Sequence, residues 1–341
     1  MIKSWVFEFF QAPAVDDTLD PQRSVAYFNG YLDLWARAES LGFHGIFFSE
    51  HHFGPAYSPS PNLLVAQIAA RTKTLRLGVM GMVLPYHQPW RIVEEIGMLD
   101  HLTGGRFEIG TSAGIPNEME KIGLGVEEAR ARNDEAQDII DAALRTPVIS
   151  HHGKYWQFDN LRLVPRPLQQ PSPPVWTTVI SSSSARRAAR RGSKICTGFL
   201  SNAKVMEIFD AYRDEAKSLG WTATADHLAL RRQVAFAASG EQARELHAAH
   251  RAGSSQRLSN DPRFVVPGRQ ALDTPVAHAF SLGEEENIVD LPERVGNEIV
   301  RQCREVGAGH FLATFRGAGA IKDAWETYGR EVNPVLAGAS V

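Results

Sequence analysis

Leu41-Gly-Phe-His-Gly-Ile-Phe-Phe-Ser-Glu-His-His-Phe53 is the stretch that decides how the rest of the chain is read. Gly42 suits the end of a helix. Ile46, Phe47 and Phe48 are apolar at consecutive positions, hence on both faces of an extended segment. A run so short and so apolar predicts a strand buried between helices in a parallel sheet. Glu50, His51 and His52 follow at once. Chemistry in such sheets gathers just past the carboxyl ends of the strands, so these three groups are expected to face a pocket.

Outward from that stretch, strand and helix signals alternate. On the amino-terminal side they predict strand Val6–Phe10 and helix Arg23–Ser40. Beyond it come the loop Gly54–Pro61, helix Asn62–Arg71, strand Leu75–Leu84 and helix Pro89–Leu102, with Pro in its first turn and Gly104 at its end. Strand Arg106–Gly110, loop Thr111–Gly125 and helix Val126–Leu144 follow. The rhythm then breaks into a small hairpin, Lys154–Asp159 against Leu161–Val164, and a proline-rich return to Pro174. It resumes with strand Val175–Ile180, helix Ser184–Arg191, strand Ile195–Phe199, helix Ala203–Leu219 and strand Leu228–Ala238. Helix Glu241–Gln256 precedes a polar insertion, Arg257–Pro292. Helix Leu291–Glu305, strand Gly309–Phe315 and helix Ala320–Glu331 complete the chain. Eight strands in alternation predict an α/β fold, a (β/α)8 TIM barrel, as one domain over 1–341 with insertions at about 146–174 and about 250–295.

Hydrophobic residues at 43% and charged residues at 22% suit a globular enzyme with a sizeable core. Lys+Arg number 36 against Asp+Glu 39, a balance that makes no electrostatic case for nucleic acid or an anionic membrane. No apolar run approaches the ~18 residues of a membrane helix, and the first residues lack the features of a signal peptide. Cys196 and Cys303 make neither a disulfide framework nor a metal spacing, so buried thiols in a reducing cytoplasm are expected.

Three constellations carry chemistry. Adjacent His51 and His52 point to opposite sides and chelate poorly, so no metal site is expected; one imidazole is read as facing the pocket to move a proton, with Glu50 fixing its tautomer. Packing alone is the alternative. Val179-Ile-Ser-Ser-Ser-Ser-Ala-Arg-Arg187 places hydroxyls at a helix start, an anion site or a plain N-cap, and Arg186 and Arg187 in a first turn favour the anion. Gly78 and Gly81 within a strand mark close approach by something flat, or crowding inside the barrel.

Together these residues resemble the bacterial luciferase-like flavin monooxygenases. The likeness rests on Gly42-Phe with Ser49-Glu-His-His-Phe53, Leu77-Gly with Leu84-Pro-Tyr-His-Gln-Pro89, Glu94-Glu with Leu99-Asp and Gly104-Gly-Arg-Phe107, and Pro173-Pro-Val-Trp176, in order over roughly residues 4–200. It implies reduced FMN reacting with O2 through a flavin peroxide to oxidise a small organic substrate. The FMN would come from an NAD(P)H-dependent flavin reductase, and the chain would form a homodimer. The family's functional histidine falls on His51, flanked by Glu50 and His52. Its non-prolyl cis peptide falls on Met80–Gly81, and its phosphate-binding serines on Ser181 and Ser184. Ala113 stands where many relatives carry a phosphate-binding Arg, leaving Arg186 or Arg187 to compensate. Ser112 takes the place of luciferase's reactive cysteine beside the cofactor, which argues against light emission. An apolar wall from Phe9, Phe10, Phe47, Phe48 and Phe53 would exclude water. A deazaflavin-dependent dehydrogenase and a non-catalytic flavin-binding subunit are the alternatives on this barrel.

Overall fold

In the computed structural model, which describes residues 1–11, 21–53, 56–248, 284–315 and 321–341, the chain opens with strand β1 (Lys3–Glu8) and helix α1 (Pro21–Ala36). Then come β2 (Gly45–Phe48), α2 (Pro61–Ala69), β3 (Arg76–Val79), β4 (Met82–Val83) and α3 (Pro89–Leu102). β5 (Phe107–Ser112), α4 (Pro116–Lys121) and α5 (Val126–Arg145) lead into an antiparallel hairpin, β6 (Val148–His152) and β7 (Gln157–Arg162). The alternation resumes with β8 (Val175–Thr178), α6 (Ser182–Arg191), β9 (Lys194–Thr197), α7 (Asn202–Ser218) and β10 (Leu228–Phe236). β11 (Asn287–Asp290), the helix Pro292–Val306, β12 (His310–Phe315) and the helices Ile321–Thr327 and Asn333–Gly338 close the chain. Parallel strands with helices between them make this the expected (β/α)8 barrel.

Two compact units divide the residues. The first comprises Met1–Glu8, Arg37–Ile46 and Thr177–Val341. Within it β12 pairs with β1 (Trp5 opposite Leu312) and with β10 (Arg231 opposite Leu312), and β10 pairs with β9 at its start and β11 at its end, all in parallel. Trp5, Tyr212, Trp325 and Tyr328 fill its core. Lys3, Lys194 and His310, at the first or near-first residues of three strands, all bond Asp226. His310 Nδ1 accepts from Trp5 Nε1 at 2.9 Å, so its Nε2 carries the hydrogen donated to Asp226 at 3.0 Å.

The second unit comprises Phe9–Ala36 and Phe47–Trp176. β5 pairs with β3 (Leu77 opposite Phe107) and with β4 (Met82 opposite Thr111). Gly97 of α3 admits the Pro165 carbonyl, whose oxygen lies 1.9 Å from where a Cβ would stand. Phe10 sits wholly buried among Tyr27, Phe28, Tyr31, Trp35 and Tyr57.

Several boundaries differ from the sequence reading, each for a local reason. The first strand is Lys3–Glu8, not Val6–Phe10, because Phe10 turns the chain with φ 37°. Strand Leu75–Leu84 is two strands, interrupted at Met80–Gly81. The hairpin pairs 157–162 with 148–152 because Glu135 of α5 accepts the amides of Lys154, Tyr155 and Trp156, making those residues the turn. Pro116–Lys121, inside the expected loop, is the short helix α4, with Pro at its start. β11 was absent from the expected set, and most of the insertion 257–292 and the end of helix 241–256 lie outside the described residues. Both cysteines are buried and free, and burial pushes each thiol up to about 12.

Burial alone would raise the Asp226 carboxyl, but the bonds from His310, Lys194 and Lys3 outweigh it and hold it far below the usual range. His310 is lowered, chiefly by burial. A lowered histidine costs stability once pH drops below its unfolded value of about 6.5, and a lowered carboxylate once pH drops below about 4. Asp226→Asn should therefore cost about 1 kcal/mol at neutral pH, discounted because the carboxylate is half exposed. It should also flatten the loss of stability below pH 4. Thermal melts from pH 3 to 8 check this.

Candidate active site

Sequence places Glu50 two residues past a wholly buried strand: Ile46, Phe47 and Phe48 are all 0% exposed. Backbone then holds the strand end, with Met80 N donating to Phe48 O at 2.8 Å. The Glu50 side chain is itself buried, and it accepts three hydrogen bonds. Val83 N donates to Oε2 at 3.1 Å; His52 Nε2 and His87 Nε2 both lie 2.9 Å from Oε1. Burial would raise this carboxyl. The bonds from His52 and His87, the charge on His87 and the Val83 amide together pull it below the ordinary carboxylate range. An ionised Oε1 only accepts, so both histidines present N–H at Nε2. Burial pulls His87 down, but Glu50's bond and charge override that and raise it.

His51 points elsewhere, as neighbours leaving a strand do. Its Nδ1 lies 3.0 Å from Glu118 Oε1, which also accepts the His52 backbone N–H at 3.1 Å. Phe9 stacks on the His51 ring, centroids 5.8 Å apart. Glu118, brought in by α4, is almost completely buried, and its Oε2 has no hydrogen-bond partner. With a carboxylate oxygen on Nδ1, that nitrogen carries the hydrogen and Nε2 is the basic one. The expectation that Glu50 fixes the tautomer of the pocket imidazole is thus corrected: Glu50 orients His52 and His87, and Glu118 orients His51. Tyr86 packs edge-on to His52 at 5.4 Å. Burial first, then the charges of Glu118 and Glu50, raise its phenol, which stays neutral.

The Met80–Gly81 peptide is cis. Crowding accounts for the glycines around it: a Cβ at Gly81 would stand 2.5 Å from the Thr111 carbonyl carbon, and one at Gly78 2.6 Å from Glu108 O. Ser112 Oγ accepts from Gly114 N at 3.1 Å.

In the other unit, Ser181 is the N-cap of α6. It accepts from Ser184 N while Ser184 Oγ accepts from Ser181 N, a closed capping box. The helix starts at Ser182, so Arg186 and Arg187 lie past the first turn, and Arg186 faces Glu215 at 3.5 Å. Neither cation therefore sits where the helix dipole would require a bound anion.

Of the expected aromatic wall, Phe9 meets His51, Phe10, Phe47 and Phe48 are core, and Phe53 is half exposed. Among the described residues no cluster of His, Cys, Asp and Glu could hold a metal ion, and no helix is long and apolar enough to cross a membrane. Sequence reasoning missed Glu118 and His87. Pro116 as a helix start, and the sequence Leu84-Pro-Tyr-His-Gln-Pro89 past a strand end, were the available signals.

Set on this barrel, the chain has known relatives. The family model for luciferase-like monooxygenases matches residues 6–303, and the chain belongs to that family. An uncharacterized protein of Sinorhizobium fredii, y4wF, is 35% identical over 290 residues, 82% of each chain. The oxygenase component of a flavin-dependent trigonelline monooxygenase from Acinetobacter baylyi is 31% identical over 180 residues, 52% of this chain and 50% of that one. The crystal structure of monooxygenase RslO1 from Streptomyces bottropensis superposes with a TM-score of 0.81 at 22% identity, covering 98% of this chain and 99% of that one.

Glu50→Gln turns an acceptor of two histidines into a group that presents N–H to them or leaves one unbonded. It should cost about 2 kcal/mol in urea unfolding at pH 6. A raised histidine contributes stability that is lost as pH rises through its folded value, so this difference should shrink toward pH 9.

Proposed function

We propose that the chain is the oxygenase component of a two-component system that uses reduced FMN and O2 to oxidise a small organic molecule. One observation carries the reading: a part-exposed imidazole, His51, is fixed at Nδ1 by a buried carboxylate and flanked by an aromatic ring. That arrangement leaves Nε2 to hold or accept one proton, and the carboxylate steadies the charged ring when it does. Reduced FMN, when bound, supplies the electrons with which dioxygen is activated.

The residues fit such a group. The first turn of α6 carries the hydroxyls of Ser181 to Ser184, bonded to one another and, through Ser182, to Glu207, and a phosphate at this helix start would take over those bonds. Ser181 and Ser184 are proposed to hold that phosphate, with Arg186 secondary because Glu215 already shares its charge. Met80, Gly81 and Ser112 are proposed to line the isoalloxazine. His52 and Glu50 act through position, keeping His51 turned away from them. A flavin-dependent relative that is itself an oxygenase component supports an NAD(P)H-dependent flavin reductase as partner. A cytoplasmic homodimer completes the reading. A deazaflavin hydride transfer on the same barrel would consume no oxygen.

Oxygen uptake with FMN, NADH and a flavin reductase, over a panel of aldehydes, amines, sulfonates and cyclic ketones, tests the activity. His51→Ala should bind FMN as the parent does and lose roughly 100-fold or more in turnover. Glu118→Gln should lose less, about tenfold, with a displaced pH profile. Turnover without oxygen uptake, or full activity in His51→Ala, would overturn the reading. Ser181→Ala should weaken FMN affinity by about 1 kcal/mol, roughly fivefold, in a fluorescence titration.

A further inference from the structure

At α4, three polar atoms are buried with no hydrogen-bond partner among the described residues: Glu118 Oε2, Asn117 Nδ2 and Tyr86 Oη. Buried polar groups in folded proteins are bonded as a rule, and each exception calls for a water, a ligand or a catalytic duty. These three complement one another. The carboxylate oxygen only accepts, whereas the amide nitrogen and the phenol donate.

Backbone packing brings Tyr86 to this helix. Gly114 turns the chain at φ 86°, and the place a Cβ would take there lies 3.3 Å from Tyr86 Oη and 3.3 Å from Met119 Cε. The phenol oxygen thus rests on the segment that carries Asn117 and Glu118. On its other side the Tyr86 ring stands edge-on to His52, whose backbone N–H donates to Glu118 Oε1 at 3.1 Å. Burial and the charges of Glu118 and Glu50 keep the hydrogen on the phenol, so it remains a donor. No direct bond joins Tyr86 Oη to Glu118 Oε2. One water between them would accept from the first and donate to the second, and Asn117 Nδ2 gives it a third polar partner.

The consequence falls on the rotation of the carboxylate. Glu118 Oε1 takes both bonds that the side chain makes, from His51 Nδ1 at 3.0 Å and from His52 N. The terminal torsion of a glutamate is broad, so a carboxylate held by one oxygen still swings, and one held by both does not. We propose that Tyr86 is a positioning residue for proton exchange at His51, donating through one ordered water to Glu118 Oε2, with Asn117 the second donor to that water. The proposal deepens the reading of His51 given above and rests on it for the exchange alone; the bonds themselves are independent of it. The phenol fixes the plane of the carboxylate, the carboxylate fixes the His51 ring through Nδ1, and Nε2 keeps one direction.

Proton NMR of the flavin-free protein reads the far end of this series in the His51 Nδ1–H signal, assigned by its loss in His51→Ala. Tyr86→Phe removes one hydroxyl and keeps the ring against His52. It should speed solvent exchange of that hydrogen about tenfold, the equivalent of one hydrogen bond to a charged group, and melt where the parent does. In turnover it should lower kcat about fivefold with KM unchanged. In a Glu118→Gln background, Tyr86→Phe should change neither quantity further, because the two side chains act in series. A crystal structure of the flavin-free protein should place a water bonded to both Tyr86 Oη and Glu118 Oε2. Unaltered exchange in Tyr86→Phe, equal effects in the two backgrounds, or a crystal structure without that water would overturn the proposal. Full activity in His51→Ala would sink the functional reading and leave the exchange measurements standing; uncoupled variants alongside an inactive His51→Ala would sink the role of Tyr86 alone.

Discussion

Glu50 is a carboxylate taken out of water at the end of a buried strand. Such a group is tolerated only when its oxygens are bonded, because desolvation would otherwise neutralise it. The Val83 amide and the Nε2 groups of His52 and His87 meet that requirement. In doing so they fix the turn after β4, the ring of His52 and the strand end at once. Removing one partner would leave the charge uncompensated, which is why the set behaves as a unit. The alternation of side chains past the strand then sends His51 the other way, toward α4.

A second carboxylate receives it. Glu118 lies in a six-residue helix too short to be stable by itself, so its position is bought by packing and by its bonds to His51 and the His52 amide. The two acids do different work. Glu50 shares one oxygen between two histidines and so organises structure; Glu118 places one oxygen on a single imidazole and leaves the other without a partner. The second arrangement holds His51 by Nδ1 and leaves its Nε2 as the nitrogen proposed to exchange a proton.

Elsewhere the same economy of buried charge recurs. In the first unit Arg231 and Arg232, both fully buried, share Glu286, and Arg232 also bonds Asn202 at 2.6 Å and Gln302 at 2.9 Å. Asp226 gathers Lys3, Lys194 and His310 at strand beginnings, the end of a parallel sheet that serves stability rather than chemistry. Glycine is used for close approach: at Gly78, Gly81 and Gly97 a neighbouring carbonyl or ring occupies the volume a methyl group would need.

Periodicity alone determined the fold class, because a parallel barrel writes itself as apolar runs alternating with amphipathic helices. It also determined that Glu50, His51 and His52 stand past a strand end, since that depends only on chain order. Pairing was not legible. Nothing local says that Glu50 bonds His87 thirty-seven residues on, or that Glu118 rather than Glu50 holds His51, because those contacts arise from chain segments that meet only after folding. The serine turn shows the converse. Its hydroxyls were plain in the sequence, yet only the folded helix showed them closed on one another and Arg186 turned to Glu215. Residue type and spacing establish what a group can do; the burial and partners that tertiary structure supplies decide which of those things it does.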